Sequence, residues 1–133
     1  MQYRHLGRSG LVVSRIALGS ASFGAVEGQP WRSGPKDVKA LVRAAIERGI
    51  NFFDTGPTYG KSEAETLLGN ALREVASRSS IVLATKVYFP TGPGPNDRGL
   101  SRRHIFASVD ASLKRLGVDD IDLLLIHRWD PHT

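Results

Sequence analysis

Four short apolar runs, beginning at Ile16, Ile50, Ile81 and Ile121, alternate along this chain with three segments whose apolar residues recur every three or four positions. No other feature restricts the fold as much. Strands that are apolar throughout need cover on both faces, and strands separated by helices run parallel, because each helix carries the chain back across the sheet. The expected class is therefore α/β with a parallel sheet. Ahead of the alternation, the stretches Tyr3 to Leu6 and Leu11 to Ser14 flank Gly7-Arg8-Ser9-Gly10, whose glycines are free to take positive φ, so a β-hairpin opens the chain.

The first sheet strand is expected at Ile16 to Gly19, followed by a long Gly- and Ser-rich loop from Ser20 to Gly34. Pro35 then starts a helix with Val38, Leu41, Val42, Ala45 and Ile46 on one face and Gly49 at its end. Strand Ile50 to Phe53 follows. Ser62-Glu63-Ala64-Glu65 has the pattern of a capping box, opening a second helix with Leu67, Leu68, Ala71, Leu72 and Val75 inward. After strand Ile81 to Thr85 and a Pro/Gly loop, Ser101 is the expected N-cap of a third helix. Ile105, Val109, Leu113 and Leu116 should face inward there, with Gly117 as the stop before strand Ile121 to Ile126. This order leaves an open and a closed sheet equally possible. The turn Gly19-Ser20-Ala21-Ser22-Phe23-Gly24 lacks the Gly-x-Gly-x-x-Gly spacing of a doubly wound dinucleotide fold, and no Lys-Ser or Lys-Thr follows it.

A length of 133 residues suits one domain, residues 1–133, and the composition (41% hydrophobic, 23% charged) is ordinary for a globular protein. The absence of cysteine removes thiolate chemistry and cysteine-ligated metal, and is compatible with a reducing, cytoplasmic location. The polar start and the lack of any long apolar run argue against a signal peptide or a membrane segment. A net charge of +5 raises the question of nucleic acid. The basic residues are scattered, however, and the one cluster, Arg98 to His104, carries no interleaved aromatics, so a solvated helix start is favoured over a polyanion site.

Three of the apolar runs lead into an ionisable residue: Ile50 to Phe53 into Asp54, Ile81 to Thr85 into Lys86, and Leu123 to Ile126 into His127. In a parallel sheet these ends share one edge, where α/β folds gather side chains from separate loops into one site. Tyr59 follows Asp54 by five residues. Singly, each has a dull explanation: a turn-forming Asp, a packed Tyr, a solvated Lys, a core His. Together they suit acid–base work on a carbonyl. A phenol gives up its proton near pH 10 in water, and an ammonium ~4 Å away favours the tyrosinate by roughly 4 kcal/mol at an effective dielectric of about 20. Asp54 would hold Lys86 charged, and His127 would donate a hydrogen bond to the carbonyl oxygen. Metal binding suits the set poorly, with one imidazole, one carboxylate and a repelling cation. No Gly-x-Ser-x-Gly elbow supports a serine nucleophile.

Three stretches, Asn51 to Gly60, Ala84 to Val87 and Ile121 to Pro131, together resemble the aldo-keto reductases. The fragment Gly99 to Ile105, Gly-Leu-Ser-Arg-Arg-His-Ile, is similar to the branch that includes voltage-gated potassium-channel β subunits and aryl-alcohol reductase-like proteins. The resemblance implies a (β/α)8 TIM barrel, of which this chain would supply the hairpin and the first four strands with three helices. It further implies reduction of aldehydes and ketones with NADPH, with Tyr59 as general acid, Lys86 and Asp54 tuning it, and His127 orienting the carbonyl. Ser20, Ala21 and Asp54 match positions that touch the cofactor. Gly56 stands where Ala is commoner in the family, a mild change between small residues.

The expected partner is thus a small carbonyl compound, with no metal, nucleic acid or membrane. The alternative is a non-catalytic scaffold of the channel-subunit type, against which His127 speaks, because those proteins commonly carry Asn there. Four strands fill half a barrel, so the chain reads as a truncated, inactive half. Its open sheet edges favour self-association, possible as a dimer of halves.

Overall fold

In the computed structural model, which describes residues 1–133, the chain begins with the hairpin β1 (Tyr3–His5) and β2 (Val12–Ser14). Its strands pair antiparallel, Tyr3 opposite Ser14 and His5 opposite Val12. Side-chain bonds, not strand pairing, join the hairpin to the rest. The Ser14 amide donates to Asn51 Oδ1 (2.7 Å), and the Asn51 side-chain amide donates to the Val12 carbonyl (3.0 Å). Ser14 Oγ also donates to the Ile16 carbonyl (2.7 Å), which bends the chain there. The expected strand at Ile16 to Gly19 is shortened as a result. Ile16 is 58% exposed, and β3 spans Leu18–Gly19 alone.

The remaining elements are α1 (Pro35–Glu47), β4 (Phe52–Asp54), α2 (Glu63–Val75), β5 (Val82–Val87), α3 (Arg102–Leu116) and β6 (Leu123–Ile126). Short 3-10 turns precede α2 (Tyr59–Ser62) and β5 (Arg78–Ser80). The strands pair in the order β3-β4-β5-β6, all parallel. Chain order equals spatial order. One core cluster joins Val38, Val42 and Ala45 of α1, Ala64, Leu68, Ala71 and Leu72 of α2 and Leu116 of α3 to Phe53 of β4 and Leu83 of β5. All three helices therefore lie on one side of the sheet, α2 between α1 and α3. A doubly wound sheet would carry helices on both sides. Sequential parallel strands with every helix outside form the wall of a (β/α)8 barrel, here its first four strands. The sheet edges are β3 and β6, and on β6 Leu124 and Ile126 are 39% and 64% exposed.

Three helix expectations need correction. On α1, Leu41 is 44% exposed, and the buried face is Val38, Val42 and Ala45. The capping box at Ser62 does not form: Ser62 has a left-handed φ of 75° and makes no side-chain cap, and Glu65 is fully buried instead. Its carboxylate has stronger partners inside the protein, described below. On α3, whose Ser101 N-cap does accept the His104 amide (3.2 Å), the buried row is His104, Ser108, Ser112 and Leu116. Ile105, Val109 and Leu113 are half-buried at its flanks. The helices pack closely here. A Cβ on Gly69 of α2 would stand 2.1 Å from the Leu116 carbonyl, so the two helices meet there backbone to backbone, and the buried row of α3 includes the small Ser108 and Ser112. Arg73 of α2 completes the contact by donating to that carbonyl (2.7 Å), one of the groups left free at a helix end.

Candidate active site

Strand pairing decides which side chains can meet. Asp54, the last residue of β4, lies opposite Ala84, and Lys86 is two residues further along β5, hence on the same face. Leu83 and Thr85 take the other face, toward the helices. Lys86 Nζ donates to both carboxylate oxygens of Asp54 (2.6 Å each) and to the Thr55 carbonyl (2.8 Å). Three oxygens thus surround an ammonium with three protons, which fixes the nitrogen in place. The Lys86 side chain is 12% exposed and that of Asp54 30%.

Tyr59 arrives on the loop after β4, and its ring lies 5.0 Å from Lys86 Nζ, within cation–π range. A Cβ at Gly56 would sit 3.4 Å from this ring, so the smaller residue leaves a narrow gap beside it. The loop's continuation is unusual: Gly60, Lys61 and Ser62 are all left-handed (φ 56°, 54° and 75°). Gly60 must be glycine, since a Cβ would overlap the Phe23 carbonyl at 2.2 Å. This tight link makes Tyr59 and the start of α2 one unit.

His127 follows β6 directly, its amide donating to the Val87 carbonyl (2.9 Å). Its ring meets the Tyr59 ring edge-on (centroids 5.7 Å apart, planes at 86°) and that of Phe89 likewise (4.7 Å, 74°). Burial, then the charges of Lys86 and Arg128, push its pKa below the ordinary 6.5, against a smaller upward pull from Asp54. The imidazole is accordingly neutral at pH 7, with one N–H to donate. Asp54, Tyr59, Lys86 and His127 therefore form one cluster at the C-terminal edge of the sheet.

Ser20 and Ala21 sit differently. The Ser20 hydroxyl is fully buried and donates to Thr55 Oγ1 (2.7 Å), while its amide donates to the Asp54 carbonyl (2.9 Å). Its side chain braces the loop that holds Lys86. Ala21 is exposed, as is Gly19, beside which a Cβ would meet nothing within 4 Å. A planar group such as a nicotinamide ring would have open space at Gly19 and Ala21, beside Asp54, which Gly19 pairs with across the sheet. The one cation of the cluster, Lys86, is engaged by Asp54 and Thr55 and offers no proton to a phosphate.

Several contributors are not evident from the sequence. Thr55 belongs to no pattern there, yet its carbonyl anchors Lys86 and its hydroxyl receives Ser20. Phe89 lies in a Pro/Gly loop without a pattern, yet it positions His127. Beside Phe89 opens a cleft of about 590 Å³ lined by Tyr88, Asn96, Arg98, Asp130 and His132, among others. Asp130 ties that loop to the segment after β6, accepting the Leu100 amide (2.8 Å) and the His132 amide (3.0 Å). These backbone donors hold its carboxyl below the usual carboxylate range. Glu65 did carry a signal: it shares the inward stripe of α2 with Leu68 and Leu72, an odd place for a carboxylate.

A model described as the Aldo/keto reductase family matches residues 15–133. A probable voltage-gated potassium channel subunit beta of Arabidopsis thaliana is 43% identical over 135 residues, covering 100% of this chain and 39% of the relative. An aldo-keto reductase of Fusarium vanettenii is 38% identical over 154 residues, covering 98% and 42%. The versiconal hemiacetal acetate reductase of Aspergillus parasiticus is 38% identical over 151 residues, covering 100% and 44%. The chain thus spans about two fifths of the length of these curated relatives. No helix is long and apolar enough to cross a membrane.

Proposed function

Because this chain belongs to the aldo/keto reductase family, we propose that the protein it builds is an oxidoreductase that reduces aldehyde or ketone carbonyls with NADPH. When bound, the cofactor supplies a hydride to the carbonyl carbon. Tyr59 gives its phenolic proton to the carbonyl oxygen, and the tyrosinate left behind is favoured by the positive charge of Lys86. Asp54 and the Thr55 carbonyl keep that ammonium from drifting toward solvent. His127, neutral and wedged between two aromatic rings, donates its N–H to the same oxygen as negative charge develops there.

One observation carries the reading: an ammonium locked by three oxygens faces a tyrosine ring whose edge meets a neutral histidine. A solvated strand-end lysine would show none of this. Cofactor positions at Asp54, Ala21 and the Ser20 backbone, and a small carbonyl substrate, belong to the same proposal.

A second reading, a scaffold subunit for a channel, draws on the names of the Arabidopsis and rice relatives, 43% and 42% identical. The two part at Tyr59. NADPH oxidation with aromatic aldehydes is measured for the purified protein and for Tyr59→Phe. A loss of about 10²-fold or more in turnover is expected from removal of a general acid. Equal turnover by the two proteins would overturn the acid role, and no NADPH oxidation by either would leave the scaffold reading standing.

A further inference from the structure

On the helix side of the sheet, behind Lys86, lies a second polar cluster that the proposed chemistry does not use. Glu65, fully buried in the first turn of α2, accepts the Thr85 hydroxyl on Oε1 (2.6 Å) and Arg115 Nε on Oε2 (2.6 Å). Arg115 Nη2 donates in turn to Ser112 Oγ (3.2 Å), and Thr85 is itself fully buried. A carboxylate withdrawn from water is costly, and an apolar residue would fill this place on the inward stripe of α2 more cheaply. What the carboxylate adds is direction. It ties the first turn of α2 to one side chain of β5.

The two ends of that tie coincide with the two halves of the proposed acid–base pair. Thr85 is the neighbour of Lys86, and Glu65 stands three residues beyond the left-handed link Gly60-Lys61-Ser62 that begins at Tyr59. That link is short and packed closely at Gly60. Gly60 is pressed against the Phe23 carbonyl, and Lys61 and Ser62 hold a backbone conformation that side chains disfavour. Any movement of α2 relative to β5 would therefore appear as a change in the distance from Tyr59 to Lys86.

We propose that Glu65, held by Arg115, is a positioning residue: through Thr85 it sets the separation of the Tyr59 ring and the Lys86 ammonium. The catalytic meaning of that separation rests on the reductase reading; the separation itself does not. Glu65 and Thr85 are both fully buried on the helix side. They act from the opposite face of β5.

The test reads the geometry directly. In wild-type protein the Lys86 ε-methylene protons should show NOE cross-peaks to the Tyr59 ring and a ring-current shift. Thr85→Val, which keeps the side-chain volume and removes the hydroxyl, should lose both; Thr85→Ser should restore them. Val42→Ala, a cavity in α1 away from β5, serves as a destabilised control and should keep both signals. Should Thr85→Val not fold, Thr85→Ala removes the same hydroxyl and is read the same way. Retention of the cross-peaks in a folded hydroxyl-free variant, or their equal loss in Val42→Ala, would overturn the proposal. In turnover, Thr85→Val should lower kcat by about 10²-fold, as expected for a displacement near 1 Å, with KM little changed. Wild-type turnover in Tyr59→Phe would sink the acid role of Tyr59, and an inactive wild type the reductase reading, while either leaves the NMR outcome to decide the brace.

Discussion

Two ion pairs of equal length, 2.6 Å, sit back to back across β5. Lys86–Asp54 faces the barrel side, with side chains 12% and 30% exposed; Glu65–Arg115 lies on the helix side, with 0% and 24%. Equal distance does not mean equal consequence. Asp54 keeps water on one side and can be rehydrated if its partner leaves, whereas Glu65 has no water to fall back on. The front pair is thus free to serve chemistry, and the back pair is committed to structure. Neighbouring residues of one strand, 85 and 86, divide the two tasks because strand geometry turns them to opposite faces.

The largest expected effect tests the back pair. Arg115→Met should destabilise the protein by about 3–5 kcal/mol, because it strands a buried carboxylate. That is a large part of a total stability of about 5–15 kcal/mol. Urea denaturation measures it, and the double variant Glu65→Leu/Arg115→Met should recover most of the loss. A cost below about 1 kcal/mol, the range of surface pairs, would show that water reaches Glu65 and that the two pairs are alike. Next comes the front pair. Lys86→Met should lower turnover by about 10²-fold or more while moving stability by no more than about 1 kcal/mol. If stability fell as far as in Arg115→Met, the proposed division between the faces would fail.

The front face was more legible in the sequence than the back. Asp54, Lys86 and His127 each end an apolar run, and runs of that kind at parallel strand ends announce a shared edge. The alternation itself gave the parallel sheet, but whether the sheet was open or barrel-like needed the observation that all three helices lie on one side. Glu65 was misread because Ser62 to Glu65 has the local spacing of a capping box, and local spacing cannot register that Arg115, fifty residues later, lies within reach. The inward row of α3 was misread for a related reason. Apolar periodicity pointed to Ile105, Val109 and Leu113, yet the row turned inward is His104, Ser108, Ser112 and Leu116, whose carbonyl lies against Gly69. Strand Ile16 to Gly19 was shortened by one hydroxyl, Ser14, bonding forward to Ile16.

Smaller effects probe what joins the faces. Gly69→Ala forces a methyl into the Leu116 carbonyl and should cost about 1–3 kcal/mol as overpacking on the helix side. Turnover per folded molecule should also fall, because Gly69 lies one turn after Glu65 on α2 and the Leu116 carbonyl that the methyl would meet is next to Arg115, so the shift reaches the Glu65–Thr85 contact. Measuring both on one sample shows whether fold and site move together.

The smallest expected effect is in pH dependence, and it belongs to the front face. His127 has its pKa lowered in the folded protein, chiefly by burial and then by the charges of Lys86 and Arg128, so the unfolded chain takes up a proton first as pH falls. Stability should therefore decline as pH drops from above the ordinary 6.5 toward the folded value and then level off, since both states are protonated below it. Asp130 behaves in the opposite sense of charge but loses stability in the same direction. Its carboxyl is held low by the His132 and Leu100 amides, so its contribution is complete above the ordinary 3.8 and disappears as pH falls through the lower folded value. The two steps are separate on the pH axis. His127→Gln should erase the upper step and leave the lower one, as read from urea midpoints across the acid range. An imidazole titration by NMR with its midpoint at or above 6.5 would mean that water reaches the His127 ring and that neither burial nor the charges of Lys86 and Arg128 outweigh Asp54, so that the front cluster is looser than its ring contacts imply.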